Sequence, residues 1–229
     1  MTEISLFEAM YTARALRRLK PDPVPDALIA HILEAGTRAG SAGNAQNWAF
    51  VVVRDAEQRR KLGAIYRRAS DISEVIYAAR GRPAHLTEEQ YRAFMATGSH
   101  LWDHMGEAPV LLVPCVKSNT VPAAELLPVE IRARYDALRD YQQLIRGASI
   151  YPAVQNIILA CRALGLATLI TTNHLYYEAE LKEVLGIPDD MFPCALMPIG
   201  WPLGKFGPVT RKPLSEVAFA DRWGSPLTT

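Results

Sequence analysis

The chain has 229 residues and a mass of 25.4 kDa, enough for one substantial core and too short for two full-sized catalytic domains. Hydrophobic residues make up 49% and charged residues 21%, a balance that excludes wholesale disorder. Lys and Arg number 25 against 24 Asp and Glu, so the net charge of +1 argues against broad electrostatic capture by nucleic acid or a membrane surface.

In chain order, the turn-rich segment 21–26 is followed by an apolar stripe of Leu28, Ile29, Ile32 and Leu33, which predicts an amphipathic helix. Ala49–Val53 reads as a first strand, and Arg59–Arg68 is charged and helix-compatible. The segment 64–105 fits least well. It mixes arginines and acids with Tyr66, Tyr77, Tyr91, Phe94 and Trp102, and Gly81–Pro83 interrupts it. Such an excursion between strands is either a lid-like substrate element or an ordinary peripheral helical hairpin. Val110–Val116 is a second strand, with Pro114 pointing to an edge or a bulge. Glu125–Arg139 is helix-compatible. Ile150, Val154, Ile157, Ile158, Cys161 and Leu164 form another apolar stripe, closed by Gly165. Ala167–Thr172 and Cys194–Gly200 read as strands, separated by a helix Glu178–Leu185 that stops at Gly186. Buried strands separated by helices predict a single α+β domain over 1–229, with a central mixed sheet covered by helices on both faces.

Cys115, Cys161 and Cys194 stand far apart in apolar stretches, which predicts buried thiols in a reducing compartment. The five histidines lack ligand spacing, so no metal is expected. The first residues lack the basic start and apolar core of a signal peptide, and no apolar run approaches ~20 residues. The expectation is a cytoplasmic protein without a membrane or nucleic-acid partner.

Four stretches carry candidate chemistry. Arg14-Ala15-Leu16-Arg17-Arg18-Leu19-Lys20 places four cations in seven residues, a pattern that suits a phosphate or simply a helix end. The loop Ala39–Trp48 offers small residues with Ser41, Asn44 and Gln46 as donors and acceptors, suited to a flat ring or a polyol, or to an ordinary turn. Thr171-Thr172-Asn173-His174 sits where a strand ends, a common place for ligand donors. Arg211 and Lys212 bring two more cations near the C-terminus.

The run from Thr12 to Val53 resembles the opening of the FMN-dependent nitroreductase family, in which a basic stretch precedes Pro-Asp-Pro-Val and a Ser/Asn/Gln loop leads into the first strand. The second half is similar too, through Ser149–His174, Glu180–Asp190, Cys194–Pro202 and Thr210–Val217. The resemblance implies FMN bound at the interface of a homodimer, a C-terminal segment exchanged between subunits, and NAD(P)H as reductant. It implies phosphate contacts at Arg14, Ala15, Arg17 and Arg211, and ribityl or ring contacts at Ser41, Asn44 and Gln46. Thr171 and Thr172 would lie toward flavin N5, with Thr172 or its neighbouring amide donating a hydrogen bond there. Tyr91 and Trp102 would then be candidate substrate contacts. Ala13, Ala15 and Asn47 depart from the family's usual arginine, serine and proline, and a missing serine hydroxyl removes a phosphate hydrogen bond worth ~1–2 kcal/mol.

The reaction so implied is ping-pong hydride transfer from NAD(P)H to a nitroaromatic or quinone, with no dedicated catalytic side chain. Alternatives within the resemblance are reductive dehalogenation, enone reduction and flavin cleavage; a non-enzymatic flavin-binding protein is a further one. The deiodinase branch carries a lid Glu, a Tyr four residues on and a Lys some twenty beyond. Here Glu88 and Glu89 are followed at the first spacing by Arg92 and Ala93, which argues against iodotyrosine as substrate.

Overall fold

The computed structural model describes residues 4–117 and 121–227. Its centre is a sheet of five strands: β1 (Trp48–Val53), β2 (Val110–Lys117), β3 (Ala167–Thr168), β4 (Met191–Pro193) and β5 (Met197–Gly200). The order is β1-β2-β5-β3, with β4 also on β2. Among the described residues every ladder is antiparallel, which corrects the expected mixed sheet. The cause is the connection from β1 to β2. It consists of two long helices, α3 (Ala56–Arg80) and α4 (Glu88–His104). One carries the chain out and the other returns it, so Val53 leaves the sheet beside Leu111, where β2 begins. A single crossover helix would have given parallel strands.

β2 is the spine. Val110, Leu112 and Val116 face one core, and Leu111, Val113 and Cys115 face the other. This strict alternation, with every one of these side chains buried, requires cover on both faces. Helices α2 (Asp26–Thr37) and α7 (Tyr151–Ala163) supply Ile29, Ile32, Val154 and Ile157 to the first face. On the second face, α3 supplies Leu62, Ile65 and Tyr66, α4 supplies Leu101 and Trp102, and Glu178–Leu185, here α8, supplies Leu181.

Pro114 is in the central strand, not at an edge. Its carbonyl accepts from Cys194 N at 2.9 Å, so its missing N–H faces the same side, into the break between β4 and β5 where no ladder partner needs it. That break also explains why Cys194–Gly200 is only half strand. Likewise β3 stops at Thr168, and Thr171 rejoins the sheet through an isolated bridge to Leu196.

The segment 64–105 is the distal part of the α3–α4 hairpin. Asp55 caps α3 by accepting from Gln58 N at 2.8 Å. Thr87 and Gln90 cap α4 reciprocally, and Gly81 (φ 69°) allows the reversal between the helices. Gly63 of α3 lies so close to the Met105–Glu107 turn that a Cβ there would be 2.9 Å from Gly106 Cα. The expected helix Glu125–Arg139 is broken instead into a short turn, α5 (Val129–Arg132) and α6 (Tyr135–Ile145). No described helix is long and apolar enough to cross a membrane.

Candidate functional site

Helix α1 (Leu6–Thr12) ends before the basic stretch, so Arg14–Lys20 is not a solvated helix end. The stretch runs extended beside the segment after β5: Leu203 N donates to Arg18 O at 3.0 Å, and Lys20 N to Trp201 O at 2.7 Å. Arg14, Arg17 and Arg18, with Thr97 and Gly204, line a cavity of about 230 Å³. None of Arg14, Arg17, Arg18 and Lys20 forms an ion pair among the described residues, although most cations of α3 and α8 do. Three arginines lining a cavity that no carboxylate lines suit a compact dianion. Ala15 lines the same cavity but offers only backbone and a methyl group. Arg211 does not line it; its Nη1 donates to Thr210 O at 2.8 Å. Val209 N donates to Tyr11 O at 3.1 Å, which holds the arm carrying Arg211 beside the start of the basic stretch.

Arg17 also borders a second cavity, of about 160 Å³. Its walls are Tyr66, Tyr77, Phe94 and Trp102 from the hairpin, and Leu169, Ile170, Thr171 and Asn173 from the end of β3. The two threonines differ. Thr171 N donates to Leu196 O at 3.1 Å, Thr171 O accepts from Leu196 N at 2.9 Å, and its hydroxyl lies 3.0 Å from the Tyr66 hydroxyl. Thr172 is exposed, and neither its N–H nor its hydroxyl has a partner among the described residues. Burial pushes the Tyr66 phenol above its ordinary range, so it stays protonated at any working pH. His174 is fully buried; Pro193 O accepts from Nε2 at 3.0 Å, and burial holds the imidazole below its ordinary value. It is a core residue and does not line the cavity.

Trp102 is both a core anchor and part of the cavity wall. Tyr91 is half-buried, stacks on Phe94 with ring centroids 6.4 Å apart, and does not line the cavity. Sequence reasoning did not single out Tyr66 or Arg18 as site residues. Tyr66 carries no local signal, because its importance depends on a bond to a residue 105 positions away.

The Ser41–Asn47 loop folds onto itself. Ser41 Oγ accepts from Gln46 N at 3.0 Å, and Asn44 Oδ1 from Gln46 Nε2 at 3.2 Å. Asn44 (φ 53°) and Gln46 (φ 48°) are left-handed without being glycine, a strain of about 1–3 kcal/mol each that marks functional loops. Ser149 Oγ accepts from Ala42 N at 3.1 Å, and Asn47 donates its side-chain N–H to Lys117 O at 3.1 Å. Asn47 therefore takes up the anchoring duty at a position where proline was expected. The loop precedes β1, whereas Thr171 follows β3 at the opposite edge of the sheet. Neither cavity along Arg17 described above includes Ser41, Asn44 or Gln46. The structure brings Arg14, Arg17, Thr171 and Trp102 together and leaves the loop apart.

Comparison with known proteins agrees with this geometry. The model of the Nitroreductase family matches residues 11–201. Over 206 residues the chain is 28% identical to the NADH dehydrogenase of Thermus thermophilus, covering 89% of this chain and 90% of that protein. It is 25% identical to the iodotyrosine deiodinase of Drosophila melanogaster, over 86% of this chain and 62% of the relative. Among solved structures, the BluB-like flavoprotein from Clostridium difficile 630 superposes with a TM-score of 0.70 at 20% identity, covering 96% of this chain and all of that one. The NADPH:FMN oxidoreductase from Vibrio harveyi, complexed with NAD+, gives 0.65 at 18% identity, over 96% and 78% of the two chains. At these identities the superpositions speak for a shared fold.

Proposed function

Because the chain belongs to the nitroreductase family, we propose that it is an FMN-dependent oxidoreductase that uses NAD(P)H to reduce nitroaromatic or quinone-type acceptors. The observation that carries this reading is the pair of cavities joined at Arg17. One end is lined by three arginines that form no ion pair among the described residues, and the other offers an aromatic wall beside Thr171 for a ring, with Thr172 next to it in the chain. These residues fit FMN. Bound there, FMN would supply the hydride chemistry between the nicotinamide and the acceptor.

The chain's own residues bind and orient. Arg14 and Arg17, with backbone at Ala15, hold the phosphate, and Arg211 approaches from the adjacent arm. Thr172 offers its free N–H and hydroxyl toward N5, beside Thr171. Ser41, Asn44 and Gln46 serve the ribityl chain and ring of the site across the interface. In this reading 1–229 is one domain, and 64–105 shapes the acceptor site, with Trp102 as a wall and Tyr91 packing the wall from behind. Chain area supports a homodimer. The chain exposes 14037 Å², whereas a compact monomer of its mass exposes about 10,300 Å². The excess matches an obligate interface of several thousand Å². Phe7, Leu144, Leu214, Val217 and Trp223 are exposed apolar groups that such an interface would cover. The C-terminal segment that carries Phe219 and Trp223 is the part proposed to cross to the partner; its Thr228 and Thr229 lie outside the described residues.

A second reading keeps the flavin and changes the acceptor to a haloaromatic, an enone or the flavin itself. It is favoured by the deiodinase and BluB-like names among the relatives. Against iodotyrosine stand Arg92 and Ala93, both exposed on α4, where the deiodinase spacing calls for a tyrosine. The purified protein should be yellow and release FMN on denaturation. Stopped-flow bleaching by NADH or NADPH, then reoxidation by a panel of nitroaromatics, quinones, enones and haloaromatics, tests the function. Bleaching without reoxidation by any nitro compound or quinone transfers the assignment to the second reading. A colourless protein unable to take up FMN removes both.

A further inference from the structure

The backbone of Arg14–Arg17 is held mainly from its two ends. Within it, the one backbone-to-backbone bond among the described residues is local, from Leu16 N to Arg14 O at 2.8 Å. At the far end, Arg18 and Lys20 fasten the stretch to the segment after β5. The near end depends on where α1 sits. That helix has seven residues, too few to persist alone in water, and Ala9 is its one buried residue. Among the described residues, the side-chain hydrogen bonds that reach α1 from elsewhere in the fold both come from Arg162 of α7, whose side chain is 14% exposed. Arg162 Nε donates to Thr12 Oγ1 at 2.8 Å, and Nη2 to Glu8 Oε1 at 3.5 Å. Thr12 Oγ1 gives its own proton to Glu8 O at 2.6 Å, so its oxygen is left to accept from the guanidinium. The guanidinium carbon also lies 4.4 Å from the centre of the Phe206 ring, a cation–π contact.

Thr12 stands two residues before Arg14, and Phe206 two residues after Gly204; Arg14 and Gly204 both line the cavity of about 230 Å³. One planar group therefore fixes the segments that lead into two walls of this cavity, without lining it. Val209 N, donating to Tyr11 O, joins the same two segments again on the way to Arg211. A lysine would supply the charge, but not a fork that meets two oxygens while stacking on a ring. We infer that Arg162 is a positioning residue for the phosphate end: by tying α1 and the Phe206 arm to α7 it sets the spacing of the Arg14 stretch and the arm, and with it the grip on a phosphomonoester. The same spacing selects FMN over riboflavin. The inference rests on the flavin reading for naming that phosphomonoester; the cavity's grip on phosphate does not.

The test is titration of the flavin-stripped full chain with FMN, with riboflavin and with inorganic phosphate. Riboflavin has the same ring and ribityl chain without the phosphate. The flavins are read by fluorescence quenching and phosphate by calorimetry. Arg162→Met keeps an apolar stem and removes the fork; it should weaken FMN about tenfold, the worth of one misaligned charge-assisted contact, weaken phosphate with it, and leave riboflavin unchanged. A merely structural role would weaken both flavins equally. Thr12→Val should give part of the same loss and add nothing to Arg162→Met, because both break one contact. Arg162→Lys should stay weakened for FMN. Parental FMN affinity in Arg162→Met, equal loss of both flavins, or full recovery in Arg162→Lys overturns the inference. If Arg162→Met does not fold, Thr12→Val carries the test, through a loss for FMN that riboflavin does not share. If the parent binds neither flavin, the flavoenzyme reading fails separately. The phosphate titration then decides, and equal affinity in parent and Arg162→Met, or none in the parent, overturns the positioning role.

Discussion

If the loop Ser41–Gln46 serves a flavin whose ring lies beside Thr171, the loop of the same chain is badly placed to reach it. β1 and β3 form opposite edges of the sheet, three inter-strand steps apart, or roughly 14 Å. Both faces of the sheet between them are sealed by helices. In the proposed homodimer the loop of one protomer therefore completes the site of its partner. Two variants test this. Arg14→Gln with Arg17→Gln removes two charge-assisted contacts of about 1.5–3 kcal/mol each, loosening FMN by at least two orders of magnitude. Asn44→Gly with Gln46→Gly removes the loop's side chains while keeping left-handed backbone that glycine adopts without strain. Each variant alone should lose FMN. Unfolded together in equal amounts and refolded, they should form about half heterodimers, each with one intact site, so about a quarter of the sites recover FMN. The assay is flavin absorbance per chain after gel filtration. Recovery no greater than the mean of the two separate variants would refute the shared site.

Three further outcomes follow from packing and burial. Gly63→Ala puts a Cβ 2.9 Å from the backbone of Gly106; the overpacked foot of the hairpin should lose about 1–3 kcal/mol, read as a lower urea midpoint. Burial raises the thiol pKa to about 11 for Cys115 and about 12 for Cys161 and Cys194. A maleimide or iodoacetamide reagent should thus leave all three untouched in the native chain and modify all three in urea; rapid native labelling would show that the core opens. His174 is held neutral by burial, so below its ordinary imidazole range the unfolded chain binds a proton that the native chain refuses. Its contribution to stability is intact above that range and falls as pH drops through it, by at most about 1.4 kcal/mol per pH unit. His174→Gln, which keeps an N–H for Pro193 O, should flatten the melting temperature between neutral and mildly acidic pH relative to the parent; equal slopes would assign the loss to other groups.

Helix positions were legible where a stripe coincided with a stop signal. Glu178–Leu185 ends at Gly186, whose φ of 64° is the left-handed cap the glycine implied. The strands were legible as apolar runs but not in register or direction. Antiparallel pairing of β1 with β2 depends on two helices between them rather than one, and the break at Gly81 that makes two helices looked in the sequence like an interruption of regular structure. Pro114 is a related case: it marked a bulge, three residues Cys194–Leu196 opposing Val113 and Pro114, and not an edge. Proline is excluded from a central strand only if a ladder partner needs its N–H, and the break opposite it at Cys194–Leu196 is a property of the assembled sheet.

The candidate site shows the same division. Arg14, Arg17, the Ser41–Gln46 loop and the Thr171–Thr172 pair were found because each is a local cluster of chemistry in one short stretch. What the cluster could not reveal is which of two adjacent threonines is free. The fold decides it: the bridge to Leu196 and the Tyr66 hydroxyl take up Thr171, and the chain then turns into Asn173–Tyr177, leaving Thr172 unpartnered. Tyr66 does this because α3 carries it to the end of β3, and Gly63 and Gly106 let α3 approach closely the turn that leads into β2. Two glycines that line neither cavity thereby help set where the Tyr66 ring sits. Widening that approach should disturb ligand binding before it disturbs the phosphate end, which is held by the separate strand-like pairing of Arg18 with Leu203.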